Sequence, residues 1–327
     1  MRFRCCILAS LCLGLLAIPA LAADPHPLLL VLNKPQAKLV IVDPQTRKAI
    51  GEVPTGTGPH ELAVSADGKL AFVANYGDQT PGDSLSVIDI ENRRELRRVN
   101  LGALRRPHGI VQSNGKIYFT AEVNKVVVRY DPAVDRVEWL MGTGQDLTHM
   151  LAISKDEKKI FTANIMSDSV AVLEPRPQGQ HWRVTVIPVG KGPEAIDLSP
   201  DGNEVWTAHS GDGGVSVIDT GTEKVVATIP GLTKHSNRLK FTPDGKQVLI
   251  SDPESNQVLV MDVAGRKLVQ RITVPAQPLG IQMSPDGKSA YVACAGAGQV
   301  AVIDLARLAQ VATIDVGPGP DGMAWVH

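Results

Sequence analysis

Cysteine is scarce, and what there is sits at the wrong end for a disulfide framework. Of four cysteines, Cys5, Cys6 and Cys12 fall within the first 22 residues, leaving Cys294 alone. A single thiol has no intramolecular partner, and no CxxC pair exists to hold a metal or cycle between redox states. Charge of either sign is not in excess: the net charge of −1 becomes about −3 once residues 1–22 are set aside. That balance argues against a general nucleic-acid binder. HExxH and GxSxG are both missing. Gly317-x-Gly319-x-x-Gly322 spells a dinucleotide motif, but it precedes a terminal strand and not the helix such a motif needs. The four tryptophans, at 139, 182, 206 and 325, do not recur at one repeat position, which argues against a tightly held quinone cofactor.

Acid is also lacking from residues 1–22. Met1–Arg4 is basic, Cys5–Ile18 is apolar, and Ala20-Leu21-Ala22 has the A-x-A form of a cleavage site. This reads as a secretory signal peptide, too short to span a bilayer. Cys12 follows Leu11, where a lipobox would need a small residue. No second apolar stretch is long enough to cross a membrane, so the expectation is a periplasmic protein, monomeric and without membrane insertion. Residues 23–327 would form the folded part.

What is present is a repeat. A valine-rich segment ending in an acid recurs seven times, closing at Asp43, Asp89, Asp131, Glu174, Asp219, Asp262 and Asp304. A period of about 44 residues with four short β-rich runs per unit predicts propeller blades. Between the first two runs lies a turn such as Asp67-Gly68, Asn114-Gly115 or Asp201-Gly202, where Asn or Asp with Gly should supply positive-φ positions. Residues 28–53 supply only three strands, and 320–327 a fourth, so the two ends should complete the seventh blade. The expectation is an all-β, single seven-bladed propeller with four-stranded blades and no open edge.

Phe72-Val73-Ala74-Asn75, Phe161-Thr162-Ala163-Asn164 and Tyr291-Val292-Ala293-Cys294, each followed by the acid-ended strand, resemble the YVTN-type β-propeller repeat. Pro107–Val111 with Tyr118–Glu122 is similar to a blade of lactonase-type and streptogramin-lyase-type propellers. The first resemblance implies the fold; the second implies lactonase or lyase chemistry.

The first residues of the innermost strands should gather at one mouth of the channel: His60, His108, His149, Glu194, Asn237, Leu279 and Asp321. Asn75, Glu122, Asn164, His209, Asp252, Cys294 and Asn33 end the second strands at the same mouth. His60, His108, His149 and Glu194 therefore form a candidate metal set suited to Zn, Mn, Fe or Cu. Glu122 and His209 are the candidate catalytic acid/base residues. Arg105, Arg106, Arg238 and Asp252 are candidates for binding a ligand, with the arginines and Lys191 suited to an anion. The asparagines read as turn-formers bonding their own backbone two residues on, and Cys294 as a small buried residue.

Two functions follow: a propeller binding a small anionic ligand or a periplasmic protein partner, or a metal-dependent lactonase or lyase acting on an anionic small molecule. A third, polyanion or nucleic-acid binding, would use Arg93, Arg94, Arg97 and Arg98 on an outer strand.

Overall fold

The computed structural model describes residues 26–176 and 181–326; the signal peptide expected at 1–22 lies outside them. The chain forms seven four-stranded antiparallel sheets, six of which run in sequence order outward from the channel. The innermost strands of blades 1 to 6 are Pro59–Val64, Pro107–Ser113, Thr148–Ile153, Pro193–Leu198, Leu239–Phe241 and Pro278–Met283. Blade 7 takes its innermost strand, Pro320–Val326, from the end of the chain and pairs it with Leu28–Asn33. The ring closes as the repeat predicts. Among the described residues, no helix is long and apolar enough to cross a membrane.

The apolar runs are explained by burial on both faces. Leu29 and Val31 face blade 6, while Leu30 and Leu32, on the other side of the same strand, face blade 1. Among the described residues, seven hydrophobic clusters result, one at each seam between blades. A strand buried on both sides has no reason to alternate apolar with polar, and these do not. Outermost strands meet solvent on one face and do alternate, as in Arg94–Asn100.

The repeated acid is a turn device. Asp43 accepts the backbone N–H of Gln45 and Thr46, Asp304 those of Ala306 and Arg307, and Asp219 that of Thr222. It shapes the connection to the outermost strand. The first turn differs from expectation. Only Asn114-Gly115 places both residues at positive φ; at Asp67-Gly68 and its relatives the glycine alone does so. There the acid binds the preceding hydroxyl and the N–H two residues on, as Asp67 does with Ser65 and Lys69.

Candidate functional site at the channel mouth

Pairing places the start of each innermost strand beside the end of the next strand: Pro59 faces Asn75 and Pro193 faces His209. Most innermost strands also carry a register shift just past their first residue. Such a bulge breaks the two-residue alternation and re-aims side chains. In blade 1 both His60 and Glu61 consequently reach the mouth.

Blades 2 and 3 approach closely because residue 109 has no side chain. A Cβ there would lie 2.7 Å from the His149 carbonyl oxygen. That oxygen also accepts the Thr120 hydroxyl at 2.6 Å, which pins the strand. The rings of His108 and His149 stack with centroids 3.8 Å apart. Glu122 reaches in from the second strand of blade 2. Its Oε1 lies 2.5 Å from His149 Nδ1, and its Oε2 accepts the Tyr76 hydroxyl at 2.6 Å. His108, Glu122 and His149 are all buried, each offering a ligand atom within 4.8 Å of the others, so the cluster could hold a metal. His108 Nδ1 and His149 Nε2 are buried and have no hydrogen-bond partner among the described residues.

His60 stands next to this group. Its ring lies 5.2 Å from that of His108 and 4.3 Å from that of Tyr76, while its Nδ1 donates to the Gly58 carbonyl at 2.8 Å. Burial, with help from Lys34 and Arg238 and against Asp321, pushes its pKa down to about 4. Burial and the neighbouring imidazoles hold His108 well below the usual histidine range. Both rings are neutral at pH 7. Burial and Glu122 raise the Tyr76 phenol, which keeps it a donor.

Glu194 is not drawn into the cluster. Its Oε1 accepts Asn237 Nδ2 at 2.6 Å, and its Oε2 faces His235 Nε2 at 3.6 Å. Arg238 crosses the channel to Glu61, 177 residues away in sequence, through Nε at 3.0 Å and a second guanidinium nitrogen. A third donates to the Asn237 carbonyl. Burial opposes the charge on Arg238, but Glu61, Asp321 and Glu194 raise its pKa. Lys34 Nζ lies 3.1 Å from Asp321, a pair on the same side of the mouth.

The remaining candidates are engaged elsewhere. His209 Nδ1 meets Asp212 at 3.0 Å, and Asp212 accepts the N–H groups of Lys191 and Gly214. Asp252 accepts the backbone of Lys234 and His235, shaping the loop into blade 5. Arg105 bonds the Gly102 and Leu104 carbonyls and pairs with Asp83. Arg106 lies 4.5 Å over the Tyr76 ring and donates to the Asp78 carbonyl. On the outer strand, Arg93 is tied to the Ile50 carbonyl, Arg97 to Asp135 and Tyr130, and Arg98 to Glu95. Asn75 and Asn33 bond the connections between blades, at Gly56 N and Val316 O, and not their own turns. Cys294 is fully buried, and burial pushes its thiol up to about 12.

Sequence reasoning missed Tyr76, Glu61 and Lys34. Each directly follows a residue it did mark: Asn75, His60 and Asn33. The register shift was the missing piece.

Comparison with known proteins agrees with the fold. Residues 31–307 match the family model described as "Lactonase, 7-bladed beta-propeller". The periplasmic gluconolactonase of Pseudomonas aeruginosa superposes with a TM-score of 0.73 at 18% identity, covering 92% of this chain and 99% of that one. A candidate 6-phosphogluconolactonase from Bacteroides uniformis gives 0.77 at 16% identity, with coverage of 92% and 99%. The hydrazine synthase of Kuenenia stuttgartiensis gives 0.68 at 20% identity, covering 81% and 88%. At these identities the likeness establishes the fold alone. No curated protein sequence matches the chain. With most of its length matched by that family model, the chain belongs to the seven-bladed β-propeller lactonase family.

Proposed function

We propose that this protein is an exported, periplasmic hydrolase of lactones whose channel mouth holds a divalent transition-metal ion on His108, Glu122 and His149. One observation carries the reading. Two stacked, buried imidazoles present unpartnered nitrogens beside a buried carboxylate. A buried polar atom without a partner costs about 1–3 kcal/mol, which an ion would remove. Imidazole and carboxylate donors suit Zn, Mn, Fe or Cu. The leader-like residues 1–22 and the periplasmic gluconolactonase neighbour support the location.

A bound ion would polarise the lactone carbonyl or acidify a water. The chain's own residues prepare the rest. Glu122, accepting from Tyr76 and His149, fixes the His149 tautomer and leaves Nε2 as its lone-pair nitrogen. His209, tied to Asp212, keeps the blade 4 linker in place and stands outside this chemistry.

Metal content decides the matter. Purified untagged protein is incubated with Zn, Mn, Fe or Cu, desalted and analysed beside a His108→Ala/His149→Ala variant. We expect about one equivalent in the wild type and none in the variant. Absence of stoichiometric metal from the wild type sinks the proposal. Metal without turnover on a panel of lactones and esters leaves a metal-dependent binding protein in its place.

A further inference from the structure

We infer that blade 3 pairs edge to edge with blade 3 of a second copy of this chain, joining two propellers across a two-fold axis. The inference is independent of the chemistry at the mouth, and it replaces the monomer expected from the sequence.

Every blade ends in an outermost strand whose outward N–H and C=O groups are a template for another strand. Six of the seven blunt that edge in the same way. A register shift interrupts the pairing of the third and fourth strands in blades 1, 2, 4, 5, 6 and 7. Such a bulge leaves a residue out of the ladder and twists the edge away from a flat template. Among the described residues, blade 3 alone lacks it. Its outermost strand, Trp182–Pro188, pairs with Ser169–Pro175 residue for residue along its whole length.

Charge does not guard this edge either. Its one charged side chain, Arg183, is turned to Glu174 and Glu223. Blades 4 and 6 also carry a single charge on that strand, Lys224 and Asp315, but they keep the bulge. What blade 3 presents is apolar. Val186 is 43% exposed, Val184 is half-buried, and the Trp182 ring lies 4.6 Å from that of Trp139 on the outermost strand of blade 2.

The strand is complementary to itself. Antiparallel pairing of two copies about Thr185 is the register that engages every residue from Trp182 to Pro188. Val184 of each copy then faces Val186 of the other, Trp182 faces Pro188, and Thr185 faces its own equivalent. Cross-strand pairs of β-branched residues favour such a ladder. Arg183 falls opposite Ile187, so no like charges are opposed. The contact is the same patch on both copies and closes at two. The bulged edges of the other blades offer nothing to extend it. The paired strand is the one farthest from the channel in its blade, so both mouths stay open.

Sedimentation velocity of the full mature chain is followed from about 1 to 200 µM. We expect the wild type to pass from monomer to dimer over that range. Val186→Lys sets a charge against Val184 of the other copy and should weaken the dimer by about tenfold or more. Val311, on the outermost strand of blade 6, is 44% exposed, and Val311→Lys should dimerise as the wild type does. Hydrogen exchange on the wild type supplies a measure free of substitutions. Backbone amides of the Trp182–Pro188 strand should gain protection with concentration, while those of the other outermost strands should not. A wild type that stays monomeric up to about 200 µM overturns the inference. So does a Val186→Lys dimer as tight as the wild type's, or protection that falls on another edge.

Discussion

In blade 4 a histidine stands where blades 1, 3 and 7 carry asparagine. Asn75 accepts the N–H of Gly56, and His209 sits correspondingly close to Gly190, where a Cβ would collide with its ring. The two glycines make room for the same structural side chain in successive linkers. His209 is fully buried, and burial, against the pull of Asp212, depresses its pKa below 6.5. The folded protein therefore refuses a proton that the unfolded chain accepts. The stability linked to this residue is complete above pH 6.5 and declines as pH falls below it. His209→Asn restores the repeat's residue without that liability. Melting temperatures of wild type and variant, both metal-free, should diverge in the variant's favour as pH drops from 7 to about 5. Parallel curves would mean that His209 titrates alike in both states.

At the scale of the element, the linkers into the innermost strands explain why Gly-x-Gly recurs. Gly58 has φ +58°, and a Cβ on it would overlap the Gly77 carbonyl. Gly102 has φ +65° but nothing within 4 Å of that position. Gly102→Ala should cost only the left-handed strain, about 1–2 kcal/mol. Gly58→Ala adds the steric term and should cost at least about 1 kcal/mol more. Urea midpoints of the two variants measure the difference, and equal losses would show that the Gly77 contact relaxes freely. This linker also explains why Gly317-x-Gly319-x-x-Gly322 resembles a nucleotide motif: Gly317 and Gly319 are the positive-φ glycines leading into Pro320–Val326. The blades were legible because burial on both faces writes a dense apolar run at every period. His108, His149 and Glu122 were legible as repeat positions. Glu61 and Tyr76 were not, because the bulges that turn neighbouring residues toward the mouth depend on strand pairing, which no short stretch of sequence encodes. Nor could the repeat show that Asn237 and His235 would engage Glu194, since that contact depends on how far two blades stand apart.

Across the whole molecule, two devices hold the ring. Pairing of Leu28–Asn33 with Pro320–Val326 closes it at blade 7, and the Arg238–Glu61 pair ties blade 5 to blade 1 across the channel. The pair is buried on both sides, with Arg238 at 7% and Glu61 at 9% exposure. Removing two charges from water is costly, and their attraction does little more than offset that cost, so the pair need not stabilise the fold on balance. Breaking it by one side is a different matter. Arg238→Met leaves Glu61 buried without its cation and also strips a compensating charge from Asp321 and Glu194. It should lose about 3–5 kcal/mol. In Arg238→Met/Glu61→Leu the stranded carboxylate is gone, and most of that loss should return. Denaturant unfolding of both single variants and the double variant gives the coupling directly. A double variant as unstable as the sum of its parts would show that the two side chains act independently. Recovery in the double variant would identify the pair as a device that fixes how blades 1 and 5 face each other.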